Sequence, residues 1–231
     1  MNSIILTKTY KEPPFCEKEI LRYAGCKSSD DELLQLLHAC IEEVREKLSY
    51  KVCYRELSLT VVDGICDFGS FTLQSKNLAQ NLQDCKVVIV FAATLGVEID
   101  RLIAKYGRIS PSKALMLQAI GAERIEALCD AFCEDIERQK QRKTKPRFSP
   151  GYGDLPLEVQ KEFFKLLDCS KQIGLSLNDS LLMSPSKSVT AFVGLREGQQ
   201  NADDEKIVDV SNKINKCAAC TKTDCAYRGV L

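Results

Sequence analysis

The chain has 231 residues, the length of one large domain or two small ones. Apolar residues make up 45% and charged residues 28%, a composition typical of globular proteins rather than disordered ones. The 32 acidic side chains balance the 32 basic ones, and no apolar run approaches the roughly 20 residues of a membrane-spanning helix, so we expect neither a nucleic-acid partner nor a membrane.

The first third of the chain predicts a helix followed by two strands. Residues 29–32 read Ser-x-x-Glu, a capping box that predicts a helix over residues 30–48. Apolar residues then alternate over residues 54–62, which predicts a half-buried strand. Asp63-Gly64 is a turn signal, and residues 68–73 are predicted to form the next strand.

The central third predicts a buried strand and two helices. Residues 87–93 are a continuous, valine-rich run that favours a strand buried on both faces. A corner at residues 94–96 leads into a helix ending near Tyr106. Ser110 and Pro111 then predict the start of the longest helix, with serine as its cap. Its predicted core stripe is Leu117, Ile120, Ile125, Leu128, Phe132 and Ile136. The six basic residues within 138–147 are typical of a solvated helix end.

The last third predicts shorter elements. A loop at residues 150–154 precedes a helix over 156–169, strands near 180–183 and 188–194, and a polar connection over 197–205. This order argues against a regular parallel array of strands and helices. We therefore expect an α+β fold, with a mixed or antiparallel twisted sheet and long flanking helices. Residues 1–200 are predicted to form one domain and residues 201–231 a flexible tail.

The cysteine and histidine content limits the possible chemistry. Residues 1–10 lack the pattern of an export signal, so we expect a cytoplasmic protein whose twelve cysteines are thiols or metal ligands rather than disulfides. Five of them have apolar neighbours and are expected to be buried, namely Cys40, Cys85, Cys129, Cys133 and Cys169. The single histidine, His38, is expected to pack inside its leucine-rich helix. With this one histidine, neither a histidine-based zinc enzyme nor a Ser-His-Asp hydrolase is expected.

Residues 147–152, Arg-Phe-Ser-Pro-Gly-Tyr, form a candidate binding loop. Pro150 fixes one backbone angle, and Gly151 permits a conformation that other residues resist. A loop stiffened in this way can hold its main chain and the Arg147 and Tyr152 side chains around a small polar ligand. On spacing alone, a tight turn with an anchoring tyrosine is the simpler interpretation.

Four segments in a fixed order give this loop its context. They are Thr94-Leu95-Gly96-x-x-x-Asp100-Arg101, Ala119-Ile120-Gly121-x-x-x-x-Glu126-Ala127, Arg147-x-x-x-Gly151-Tyr152 and Met183-Ser-Pro-Ser-Lys187-Ser188-Val189-Thr190. Together they resemble the activation domain of cobalamin-dependent methionine synthase. The likeness extends from about residue 21 to residue 194. It implies that the chain binds S-adenosylmethionine, whose methyl group rescues an oxidised cobalamin held on a partner chain.

The resemblance also implies the ligand contacts. It places them at Glu126, Arg147, Ser149, Gly151 and Tyr152, with Glu123 as the alternative helical acid. A carboxylate suits a ligand that carries an ammonium and a sulfonium, because opposite charges attract at short range. Without the resemblance, the solvent edge of an amphipathic helix would be the simpler place for Glu126. No general base is implied, so we predict no catalytic residue. Lys187, Ser188 and Val189 are expected to form a structural hairpin beside the ligand.

The chain also departs from the larger enzymes of this family. Their N-terminal aspartate contact has no counterpart that we can place in residues 1–56, and their tyrosine beyond the last strand has none in residues 194–210. Both contacts therefore stay unassigned.

Three cysteines near the C-terminus form a second candidate site. Cys217-x-x-Cys220 has the spacing of a metal-binding pair, and Cys225 adds a third thiolate. We predict that they bind zinc or an iron–sulfur cluster. The fourth ligand would come from Cys66, from Cys169 or from a partner chain, or an iron–sulfur site would keep that position open. A reduced tail without metal is the simpler alternative.

Taken together, these features predict a reactivation subunit for a cobalamin-dependent methyltransferase, most simply methionine synthase. Such a protein is a non-autonomous component of its methyltransferase system, and its electrons would come from a flavodoxin- or ferredoxin-type donor. The alternative is an accessory module that relays electrons to a corrinoid protein through a metal or cluster on the cysteine tail. An inert scaffold that docks on a methyltransferase is the third interpretation.

Overall fold

A computed structural model describes residues 4–26 and 30–197 of the chain. Within these ranges the strands are β1 (Leu6–Thr9), β2 (Lys51–Ser58), β3 (Thr60–Val62), β4 (Ile65–Asp67), β5 (Thr72–Gln74), β6 (Cys85–Thr94), β7 (Ser176–Leu177), β8 (Met183–Ser184) and β9 (Ser188–Arg196). The helices are α1 (Glu17–Tyr23), α2 (Asp31–Val44), α3 (Lys76–Asn81), α4 (Glu98–Ile109), α5 (Pro111–Lys140), α6 (Gln160–Leu167) and α7 (Cys169–Ile173), with a 3-10 turn at Leu157–Val159.

The main sheet is antiparallel and has four strands in the order β1-β2-β6-β9. Strand β6 lies inside it, and its residues from Val88 to Thr94 are all buried. The prediction of a central strand buried on both faces is thus confirmed. Two smaller antiparallel sheets, β3-β4-β5 and β7-β8, complete the strand pairing of the described residues.

Helices cover both faces of the main sheet. Because side chains alternate along β6, its residues contribute in turn to a core on each face. Ile89 and Phe91 belong to a core shared with α2 and α5. Val88 and Val90 belong to a second core, which includes residues of α3, α6 and α7. The expected α+β architecture, with an antiparallel sheet and a long flanking helix, is confirmed.

Helix α5 spans 30 residues, and all six residues of its predicted core stripe are buried. Pro111 is its first residue as predicted, but the Ser110 side chain makes no capping hydrogen bond. The helix ends at Lys140, and the next residue, Gln141, adopts a left-handed conformation with a φ of 52°. Ion pairs join Lys140 to Glu56 and Lys143 to Glu137, which fits the prediction of a solvated basic helix end.

Several local predictions are corrected at the start of the chain. The cap of α2 is Asp30, whose carboxylate accepts a hydrogen bond from the Leu33 amide at 2.8 Å; Ser29 lies outside the described residues. The helix ends at Val44 instead of residue 48. The packing role expected for His38 is wrong, because the side chain is exposed on α2 and hydrogen-bonds to Glu17 at 3.2 Å.

Three other predicted elements are divided by local backbone geometry. The strand predicted over residues 54–62 is two strands, β2 and β3, in different sheets. The strand predicted over 68–73 is replaced by β4 and β5 around a turn, where Gly69 has a φ of 80°. The helix predicted over 156–169 breaks at Asp168, which has a φ of 46° and separates α6 from α7.

Near the end of the described residues, β9 confirms the last predicted strand and extends it to Arg196. The strand predicted over residues 180–183 is shorter and later in the chain, at β8. The polar connection and the tail beyond residue 197, and with them the predicted domain division, lie outside the described residues. Within the described part of the chain, none of the helices has the length and apolar character that crossing a membrane requires.

Candidate ligand-binding site

The candidate binding loop is attached to the free edge of β9. The Phe148 amide donates a hydrogen bond to the Phe192 carbonyl at 3.0 Å, and the Phe192 amide returns one to Phe148 at 2.9 Å. Lys145 makes a further backbone hydrogen bond to Gly194 at 2.8 Å. Residues 144–148 therefore run beside the sheet, and the sheet fixes the position of Arg147.

The loop itself has the stiff geometry that its proline and glycine predict. Pro150 is buried, and Gly151 has a φ of 86°, a region that favours glycine. The Gly151 amide donates to the Leu155 carbonyl at 2.9 Å, and the Tyr152 amide donates to Ser149 at 3.2 Å. A side chain at position 151 would be strained, and its Cβ would lie 3.3 Å from Leu157.

Asp154 anchors the far end of the loop to the start of α3. Its carboxylate accepts hydrogen bonds from the Ser75 hydroxyl, from the Lys76 amide at 2.7 Å and from the Asn77 amide at 3.2 Å. The Asp154 amide donates to the Asn77 side chain at 3.1 Å. These hydrogen bonds hold the pKa of the Asp154 carboxyl below its ordinary value, and the bond from Ser75 has the largest effect.

Replacing Asp154 with asparagine is expected to lower the folding stability near neutral pH. The variant should also lose less of its stability than the wild type does when the pH is lowered. The pKa of this carboxyl is lower in the folded chain than its unfolded value of about 3.9, so its contribution is present above that pH. The contribution disappears as the pH falls through the folded-state pKa. Urea unfolding at about pH 7 and about pH 3 should show the larger acid-induced loss in the wild type. Equal losses in Asp154→Asn and in a control, Asp179→Asn, would contradict this anchoring role.

Arg147 connects the loop to α5 through two ion pairs. Its guanidinium donates to Asp130 and to Glu126, each at 2.6 Å, and only 15% of its side chain is exposed. Burial alone would lower the pKa of Arg147, but Cys129, Glu126 and Asp130 nearby raise it overall. The guanidinium is therefore a fixed positive charge held between two acids on one face of α5.

Glu126 and Arg147 are thus brought together, as the resemblance implied. Asp130 was missed, although the sequence contains a signal for it: residues four apart lie on the same face of a helix. An acid at position 130 therefore extends the acidic surface that begins at Glu126. The Glu126 side chain is 45% exposed and that of Asp130 is 29% exposed, so both can be reached from solvent.

Glu123, the alternative helical acid, has a different role. It is buried and accepts two hydrogen bonds from the fully buried Arg124, at 2.5 and 2.6 Å. Arg124 also donates to the carbonyls of Pro13 and Pro14 at 2.5 and 2.6 Å, and its guanidinium lies over the Phe15 ring. This pair fixes the segment that leads into α1.

Helix α1 forms the opposite side of a small cleft beside Arg147. The cleft has a volume of about 110 Å³ and is lined from α5 and the loop by Glu123, Glu126, Ala127, Asp130 and Arg147, and from α1 by Glu19, Arg22 and Tyr23. Typical small-molecule sites enclose roughly 300–1,000 Å³. A larger ligand would therefore separate some of these side chains or extend beyond the cleft.

The α1 residues form a connected group. Arg22 donates to Glu19 at 2.9 and 3.0 Å, and its guanidinium lies 4.3 Å from the centre of the Tyr23 ring. Burial raises the pKa of Tyr23, and so does the negative charge of Glu126. Both side chains line the cleft, so the two helices face each other here. No sequence motif singled out this wall of the cleft.

The remaining predicted contacts do not line the cleft. Ser149 is half-buried and Gly151 is exposed beside it, while 68% of Tyr152 is exposed. A larger open groove, of about 570 Å³, lies between the β3–β4 turn and α3. It is bordered by Asp63, Lys76 and Asp84 and contains none of the predicted ligand contacts.

The other segments of the resemblance make structural contacts. The Ser186 amide donates a hydrogen bond to the Asp100 carboxylate at 2.8 Å, and the Leu95 amide donates one to the Lys187 carbonyl at 3.1 Å. Gly121 allows the Lys187 side chain to approach α5, because a Cβ there would lie 2.9 Å from the Lys187 Cε. These contacts agree with the structural role predicted for residues 187–189.

The predicted metal site cannot be placed, because Cys217, Cys220 and Cys225 lie outside the described residues. Among residues 4–26 and 30–197, no group of three or more histidine, cysteine, aspartate or glutamate side chains could hold a metal ion. Cys66 and Cys169, suggested as a fourth ligand, are buried in the second core. The expected burial of Cys40, Cys85, Cys129 and Cys169 is confirmed, and Cys133 is half-buried.

Comparison with known proteins agrees with this fold. Residues 77–201 match the family model of the vitamin B12 dependent methionine synthase activation domain, and the chain therefore belongs to this family. Among solved structures, it is similar to a crystal structure of the MetH reactivation domain bound to AdoHcy, with a TM-score of 0.63 and 12% sequence identity. That match covers 85% of this chain and 80% of the other. No curated protein matches the chain.

The family match includes α5 and the binding loop but begins after α1. The membership thus applies to the elements that carry Glu126 and Arg147. At this identity the structural neighbour supports the fold alone. Together they define the chain as an activation domain of the type found in cobalamin-dependent methionine synthase.

Proposed function

We propose that this chain binds S-adenosylmethionine in the cleft beside Arg147 and reactivates a cobalamin-dependent methyltransferase, most simply methionine synthase. The observation that carries the proposal is the position of Arg147 between Glu126 and Asp130, on a loop that lies within the residues matched by the family model. The similar solved domain binds AdoHcy, which is S-adenosylmethionine without its methyl group, and this supports the choice of ligand.

The charges at the site suit the amino-acid end of this ligand. The ligand carboxylate can take the place of a protein carboxylate on Arg147, because both present two oxygens to a guanidinium. Glu126 or Asp130, released from Arg147, can then accept hydrogen bonds from the ligand ammonium. Since new ion pairs replace old ones, the guanidinium keeps a charged partner throughout.

The loop and its neighbours would complete the site. The main chain at Ser149 and Gly151 lies next to Arg147 and can contact the methionine part of the ligand. Tyr152, with most of its side chain exposed, can cover the ligand from the solvent side. The sheet edge and Asp154 hold this loop in place, so little conformational entropy is lost when the ligand binds.

The reaction requires a second chain that carries cobalamin. An external flavodoxin- or ferredoxin-type donor would supply one electron to the oxidised cobalamin of the partner, whose reduced cobalt would then supply the electron pair that takes the methyl group from the sulfonium. The electron pair of the broken carbon–sulfur bond would stay on sulfur and leave an uncharged thioether. The contribution of this chain is to hold the methyl donor at a fixed position against the partner, which needs no general base. We place this activity in the cytoplasm.

A methyl-transfer assay tests the proposal. The chain is mixed with a cobalamin-dependent methionine synthase that lacks its own activation domain and whose cobalamin has been oxidised, with a flavodoxin-type reductant and with methyl-labelled S-adenosylmethionine. We expect label to reach the cobalamin only when the chain is present. Equal labelling without the chain would contradict the proposal. Full activity in Arg147→Ala together with loss of activity on metal chelation would instead favour the electron-relay alternative.

A further inference from the structure

The cleft contains more negative than positive charge. Four carboxylates and two guanidinium groups are among its lining side chains. Glu19 is paired with Arg22, and Glu123 is paired with Arg124 just behind the cleft wall. Arg147 makes ion pairs with both of the other acids, Glu126 and Asp130. The lining carries two more carboxylates than guanidinium groups, and counting Arg124 behind the wall leaves one negative charge in excess.

This excess matters because the methyl donor and its product differ in charge. S-adenosylmethionine carries a carboxylate, an ammonium and a sulfonium, and therefore one net positive charge. After methyl transfer the sulfonium is a neutral thioether, and the product has no net charge. When the ligand carboxylate occupies Arg147, the donor supplies two positive groups for the two released acids, whereas the product supplies one.

We infer that Glu126 and Asp130 act together as a charge-selective pair, which makes the cleft prefer the sulfonium form of the ligand over the thioether form. This inference rests on the proposed function and extends it. Methyl transfer removes the charge that the second acid recognises, so the reaction itself weakens the hold on the product. The chain can then exchange the spent ligand for a fresh methyl donor.

The geometry places both acids where such a preference is effective. Asp130 and Glu126 are 29% and 45% exposed, so the site lies between bulk water and the protein interior. For a charge pair about 4 Å apart, Coulomb attraction in this range of environments corresponds to roughly a tenfold difference in affinity or more.

Calorimetric titration of the full chain with S-adenosylmethionine and, separately, with S-adenosylhomocysteine tests this inference. We expect the wild type to bind the sulfonium ligand about tenfold more tightly. Asp130→Asn should lose most of that preference by weakening the sulfonium ligand while leaving the thioether ligand within about twofold. A purely structural role for Asp130 would weaken both ligands equally. Glu134→Gln, an exposed acid on the same helix, should leave both affinities unchanged.

The possible outcomes separate the two claims. If the wild type binds neither ligand, the proposed function fails. If it binds both with equal affinity, or if Asp130→Asn weakens both to the same degree, charge selectivity is overturned while the proposed function stands. Raising the salt concentration should reduce the preference in the wild type more than in Asp130→Asn, because screening acts on the charge pair.

Discussion

Replacing Arg147 with alanine is expected to weaken S-adenosylmethionine binding by about 10- to 100-fold, the loss of a hydrogen-bonded ion pair to a charged ligand group. The guanidinium is largely buried and is held by Glu126 and Asp130, so it is already oriented for a ligand carboxylate. Without it, the two acids that remain would repel the carboxylate of the ligand. Isothermal titration of the purified variant measures the change in affinity.

The matched control is Arg142→Ala, which removes an exposed arginine from the same basic segment. It should bind the ligand with wild-type affinity. Circular dichroism should show that Arg147→Ala keeps its secondary structure, because the loop remains bonded to β9 through backbone hydrogen bonds and to α3 through the Asp154 carboxylate. Wild-type affinity in a folded Arg147→Ala variant would show that the ligand does not bind here.

Replacing Arg124 with methionine is expected to cost about 3–5 kcal/mol of folding free energy, the largest stability effect that we anticipate. The change leaves the Glu123 carboxylate buried without its counter-charge and leaves the carbonyls of Pro13 and Pro14 without their donor. Because Arg124 fixes the segment leading into α1, the cleft wall that carries Tyr23 should also lose its position. Urea unfolding monitored by circular dichroism measures the loss.

A double variant, Arg124→Met with Glu123→Gln, separates the buried charge from packing. Removing the second charge should recover part of the lost stability, since an unpaired buried charge costs more than a neutral side chain. Arg138→Met, at an exposed position of the same helix, should change stability by no more than about 1 kcal/mol. Equal effects of Arg124→Met and Arg138→Met would contradict the importance of the buried pair.

The hydrophobic pattern of the sequence predicted the elements that contact the core along their whole length. The valine-rich run became β6, and the stripe from Leu117 to Ile136 became the buried face of α5, because both patterns are set by contact with the core. Breaks caused by single backbone angles were missed. Asp168 ends α6 in a left-handed conformation, which a non-glycine residue does not signal clearly in the sequence.

The parts of the site that belong to a sequence motif were predictable. The parts that depend on tertiary contacts were not. The segment from Arg147 to Tyr152 has a recognisable spacing, and Glu126 follows from the same resemblance. The α1 wall depends on an interaction more than a hundred residues apart in sequence, between Arg124 and the carbonyl of Pro13. His38 illustrates the opposite error: its apolar neighbours suggested burial, yet the helix places it on the exposed face.

A crystal structure of the chain with S-adenosylmethionine tests the central claim most directly. We expect the ligand between α1 and the Arg147 loop, its carboxylate on the guanidinium, and at least one of Glu126 and Asp130 turned from Arg147 toward the ligand cations. The methyl group should point out of the cleft, where a partner's cobalt can reach it. Ligand density elsewhere, with both acids still on Arg147, would contradict the account.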